Sequence, residues 1–70
     1  MFKLAYSDGS YLSGIVIESE EGNDYLVVYT TDVISEAATF DTIGECEQVQ
    51  GLVYRYTDEK LHIVLAEMVL

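Results

Sequence analysis

Cys46 and His62 are the only thiol and the only imidazole in the sequence. A thiol beside a base can form an activated nucleophile. No local motif surrounds either residue, so Cys46 reads as a small buried hydrophobe and His62 as a structural member of an apolar strand. The thirteen Asp and Glu are the other groups with chemical capacity. Paired carboxylates can hydrolyse glycosides, but among so many acids a suitable separation arises by chance, and a chain of 70 residues has little room for a sugar cleft. "SDGS" and "EEGND" offer oxygen ligands, yet neither follows the calcium-loop pattern with its closing glutamate. Turn chemistry alone accounts for them. Phosphate-binding glycine loops are missing. Lys3, Arg55 and Lys60 are too few and too scattered for a nucleic-acid patch. The expectation is a protein that is not an enzyme, holds no metal or cofactor, and does not bind nucleic acid directly.

The excess of acid remains. Against thirteen carboxylates stand three basic residues, a net charge of −10. Such a balance repels nucleic acid and anionic membranes and attracts basic surfaces. Glu18, Glu20, Glu21 and Asp24 crowd into the seven residues "ESEEGND". Asp32, Glu36, Asp41, Glu45 and Glu47 populate the middle, and Asp58 and Glu59 a late turn. Carboxylates can keep strand edges from pairing, but lysine is the commoner device and is nearly absent. Negative charge therefore looks functional. A DNA strand presents one phosphate per about 3.4 Å. Carboxylates at alternate strand positions lie about 6.6 Å apart on one face, a spacing open to Glu18 with Glu20 and to Glu45 with Glu47. The six tyrosines fit either a core or an interface, and Tyr54 is the candidate apolar anchor.

In size, acidity and lack of a catalytic motif the chain resembles the small DNA-mimic inhibitors of phages and mobile elements, including anti-CRISPR proteins. The resemblance covers general properties only. It implies a partner that is a basic nucleic-acid-binding protein or complex, and it carries over no site residues. The crowding and spacing of the acids themselves single out Glu18, Glu20, Glu21, Asp24, Glu45 and Glu47 as the blocking residues, with Tyr54 as the apolar anchor. The alternative is a small β structural or adaptor subunit that oligomerises, a homodimer for instance, or docks on a larger complex.

The elements that must position these groups are short. Half the residues are hydrophobic, enough for one small domain over 1–70 and against disorder. Asp8-Gly9 between "FKLAY" and "YLSGIVI" predicts a type I′ hairpin that sets Tyr6 opposite Tyr11 and Leu4 opposite Ser13. A second hairpin is expected to turn at Gly22-Asn23, with Ile17 facing Val27 and Ile15 facing Tyr29. Asp32 and the spacing of Val33, Ile34, Ala37 and Ala38 predict a short helix near 33–39. "ECEQVQ" reads as a loop or an exposed strand with a bulge at Gly51. "GLVYRYTDEKLHIVL" reads as a third hairpin, with Leu52 facing Leu65 and Tyr54 facing Ile63. A C-terminal helix through Leu61, Val64, Leu65 and Met68 is the rival, but β-branched Ile63, Val64 and Val69 favour strand. The fold class is mostly β: a small antiparallel sheet or barrel of about five strands, with α+β as the alternative. One free cysteine fits a reducing cytoplasm, no signal peptide is expected, and no apolar run is long enough to span a bilayer.

Overall fold

A computed structural model describes residues 1–66. Strands β1 (Phe2–Ala5), β2 (Tyr11–Glu20) and β3 (Asn23–Thr31) are followed by a 3₁₀ turn at Ile34–Glu36, the helix α1 (Ile43–Thr57) and strand β4 (His62–Leu65). The four strands form one antiparallel sheet in the order β3-β2-β1-β4. The chain is thus mostly β, with a single sheet and one α-helix among the described residues. Among the described residues no helix is long and apolar enough to cross a membrane.

The helix is the main departure from expectation. "IGECEQVQGLVYRYT" is neither loop nor strand. Thr42 caps its start by accepting a hydrogen bond from the Glu45 N–H at 3.2 Å, and the Asp41 N–H donates to Glu45 Oε2 at 3.1 Å. This pairing of Thr with a glutamate three residues on satisfies N–H groups that would otherwise be orphaned. Asp58 ends the helix in the left-handed region at φ 63°, its N–H reaching the Tyr54 carbonyl. Between these ends Cys46, Val49 and Val53 recur at spacings of three and four. Cys46 and Val53 are fully buried, and Val49 packs against them. With Leu4, Leu12 and Leu61 they form the core between α1 and one face of the sheet.

The third hairpin therefore does not exist: Leu52 and Tyr54 are helical, and β4 pairs with β1, Ile63 opposite Leu4. The last segment, as far as it is described, is a strand over His62–Leu65, as β-branched Ile63 and Val64 imply. Met68 and Val69 lie outside the described residues. The expected helix near 33–39 is reduced to the single 3₁₀ turn, because the following residues have another use. The Ala38 N–H donates to the Leu12 carbonyl, and Phe40 bridges Phe2 through two 2.8 Å bonds. Residues 37–40 thus line the gap where β1 and β2 diverge. Lys3 anchors this strap, donating from Nζ to the Ala37 carbonyl at 3.0 Å and to Thr39 Oγ1 at 3.4 Å.

Both expected hairpin registers are off by one. In the first, Ala5 pairs with Tyr11, Gly9 alone carries positive φ, and its N–H bonds the Tyr6 carbonyl. That is a three-residue loop ending in a glycine bulge, not a two-residue type I′ turn. Asp8 closes it, its Oδ1 accepting from the Ser10 N–H at 2.9 Å and the Ser10 hydroxyl at 2.6 Å. In the second, the turn residues are Glu21 (φ 52°) and Gly22 (φ 83°), so Glu20 pairs with Asn23 and Ile17 with Leu26. A bulge between Leu12 and Gly14 re-aims β2 beyond the core.

Candidate functional site: an acidic β-arm

β1 contributes only the Ala5–Tyr11 pair to β2, and the strap's bond to Leu12 follows. From Gly14 onward the strand paired with β2 is β3. Ten residues of strand extend about 34 Å, so the β2–β3 hairpin projects as an arm, and the molecule measures 48 × 23 × 19 Å. The apolar contacts of the core end along it. Ile15, Leu26 and Val28 still pack on the core, but every residue from Val16 to Tyr25 is exposed.

The arm carries four of the seven expected site residues. Glu18 and Glu20 alternate onto one face of β2. Across from Glu18, the Tyr25 hydroxyl donates to its Oε2 at 2.9 Å. Asp24 lies on the opposite face, where the Ser19 hydroxyl donates to its Oδ1. Glu21 sits at the turn itself. The tip thus displays carboxylates in three directions around a two-stranded ribbon, rather than one flat row. On the face shared with Glu18 and Glu20, Val16, Tyr25 and Tyr29 are 44%, 38% and 53% exposed. The Tyr29 ring lies against Gly14, whose Cβ position would be 3.8 Å from it.

Glu45, Glu47 and Tyr54 belong to α1, not to a strand. Residues two apart on a helix point to different sides, so Glu45 and Glu47 do not form a phosphate-like row. Glu45 closes the helix cap. Glu47 and Tyr54 line a shallow depression with Gln50, Gly51 and Lys60. Tyr54 and Tyr56, also two apart on α1, diverge for the same reason. What sequence reasoning missed is Tyr25, Tyr29 and Val16. The observed register, set by positive φ at Glu21 and Gly22, is what aligns Tyr25 and Tyr29 with Glu18 and Glu20, while Val16 shares their face by alternation along β2.

Cys46 and His62 are separated by the fold. Cys46 is wholly buried in the core. Burial first, then the charges of Glu45 and Glu47, push its thiol above the usual range. His62 is exposed, on the sheet face opposite that of Ile63. Among the described residues no three His, Cys, Asp or Glu side chains gather as a metal site. No protein-family model, curated protein or solved structure matches the chain.

Proposed function

We propose that the chain is a non-enzymatic acidic binding protein. It docks its β-arm on the basic nucleic-acid-binding surface of a partner and blocks it, in the manner of a DNA-mimic inhibitor. The observation that carries this reading is Glu21. Its φ of 52° lies in the region where a side chain other than Gly, Asn or Asp is costly. Asn-Gly is the favoured pair for such a turn. A glutamate here sacrifices turn stability to hold a further carboxylate at the arm's end, beside Glu18, Glu20 and Asp24. The surroundings add to it: no Lys or Arg occurs between Leu4 and Tyr54, so no positive side chain of the arm offsets the field.

Glu21→Asn separates the two demands. It is expected to stabilise the fold by about 1 kcal/mol while weakening partner binding. The partner is captured from nuclease-treated lysate on immobilised protein. It is expected to be released by added duplex DNA or RNA, and by raising NaCl from about 50 to about 500 mM. Retention indifferent to both salt and nucleic acid defeats the proposal. The adaptor reading keeps one specific support, the exposed Val16, Tyr25 and Tyr29. It predicts salt-indifferent assembly that Tyr29→Ala disrupts.

A further inference from the structure

β3 is an outer strand of the sheet, with β2 as its strand neighbour. The two-residue turn fixes which of its backbone groups are satisfied. Glu20 and Asn23 close the turn as a hydrogen-bonded pair, and alternation then directs Tyr25 and Val27 toward β2. The N–H and C=O of Asp24, Leu26 and Val28 face away from β2. Exposed edges are ordinarily blunted by lysine, proline or a bulge. β3 spans nine residues, "NDYLVVYTT", with no lysine, proline or bulge; its one charge, Asp24, lies at the tip end and leaves Tyr25 to Thr31 uncharged, and the bulge of this hairpin lies on β2.

We infer that β3 takes up an additional strand, and that the occupant is an extended basic segment of the partner protein. This rests on the reading of the arm as a surface for a basic partner and names the mode of attachment. Charge selects the occupant. Asp24 lies at one end of the edge and Asp32 follows the other, while Glu36 accepts from the Thr31 hydroxyl at 3.2 Å. A second copy laid antiparallel along β3 would bring its own Glu20, Glu21 and Asp24 toward Asp32 and Glu36. With a net charge of −10 on each chain, that arrangement is repelled. A strand carrying Lys or Arg meets carboxylates at both ends and apolar Leu26, Val27 and Val28 between them. Main-chain bonds then supply attachment and the flanking charges supply selectivity.

Amide hydrogen exchange on the full chain tests this directly. The probe is a capped, alternating Lys-Val peptide of about ten residues, a typical strand length. Oligolysine of equal charge is the control. The expected result is at least about tenfold slower exchange at Leu26 and Val28 with the Lys-Val peptide and little change with oligolysine. A chain synthesised with N-methyl-Leu26 keeps every side chain and charge but lacks the outward donor. It should fold, by circular dichroism, and bind the peptide about tenfold more weakly.

Salt-sensitive binding without protection of Leu26 and Val28, or unaffected by N-methyl-Leu26, overturns the edge inference and leaves the basic-partner reading standing. Protection at Ile15 and Ile17 instead places the strand on β2 and overturns it. Protection that appears with rising protein concentration alone assigns the edge to a second copy and overturns it. Loss of salt sensitivity after Glu18→Gln, Glu20→Gln and Asp24→Asn, with affinity unchanged, overturns the charge reading instead. Absence of any binding overturns both.

Discussion

At the first turn of α1 the Thr42 hydroxyl accepts from the Glu45 N–H and the Glu45 carboxylate accepts from the Asp41 N–H, and the two roles are separable by substitution. Thr42→Ala removes the side-chain acceptor and is expected to cost about 1 kcal/mol. Glu45→Ala should cost a similar amount, whereas Glu45→Gln retains the reach back to Asp41 and should cost little. Urea unfolding midpoints distinguish these outcomes, and a Gln variant as unstable as the Ala variant would place the effect in the charge alone. At the same scale, burial raises the ionisation of Cys46 and of Tyr6, with Glu59 and then Asp8 adding to the latter. A group whose folded value is raised stabilises fully below its unfolded value and loses that contribution as pH climbs through the folded one. Stability should therefore fall from about pH 9 upward, first through Cys46 and then Tyr6. Cys46→Ala should remove the first part of that decline in a pH series of melting curves. Asp8 runs the other way. The Ser10 hydroxyl and N–H hold its carboxylate below the usual range, so its contribution is present above about pH 4 and lost in stronger acid.

Within the elements, Gly51 is the informative residue. It lies in the middle of α1, is exposed, and has no atom within 4 Å of where a Cβ would sit. Glycine costs about 1 kcal/mol relative to alanine at an exposed helix position. Gly51→Ala should therefore stabilise by about that amount, seen as a raised urea midpoint with an unchanged slope. The same glycine explains why α1 was not legible. Gly44 and Gly51 punctuate the segment like loop residues, and Val49, Val53, Tyr54 and Tyr56 have strand propensity. Tertiary burial of Cys46, Val49 and Val53 overrides both signals. The Thr42-Ile43-Gly44-Glu45 order was a readable cap that the glycine obscured. The two N-terminal hairpins and the C-terminal strand were legible, because alternation and turn residues act locally. Their registers were not, since the position of the turn depends on whether Glu21 accepts positive φ. As for the site, Glu18, Glu20, Glu21 and Asp24 were found by composition and do share the arm. Glu45 and Glu47 were grouped with them by a strand spacing that a helix does not have.

At the scale of the whole molecule, shape and charge act together. A compact chain of this mass exposes about 4,400 Å², whereas this one exposes 4956 Å². Its radius of gyration is 12.6 Å, against about 11 Å for a compact domain of this length. The projecting arm contributes to the excess, and it is also where the carboxylates crowd. Glu18, Glu20, Glu21 and Asp24 are held within one hairpin end with no cation between them. Folding therefore concentrates repulsion that the unfolded chain relaxes. Salt shortens the Debye length from about 10 Å at 0.1 M to about 3 Å at 1 M, which removes most of that repulsion while leaving the buried Leu4–Leu12–Val53 core untouched. Melting temperature should therefore rise with NaCl, by about 4–8 °C for each kcal/mol relieved in a domain this small. The wild-type gain should exceed that of a Glu18→Gln, Glu20→Gln, Glu21→Gln variant, which begins with less repulsion to screen. Equal gains would locate the repulsion elsewhere, among Asp41 before α1 and Glu45 and Glu47 on it, and would remove the energetic reason for regarding the arm's end as the concentrated charge of the molecule.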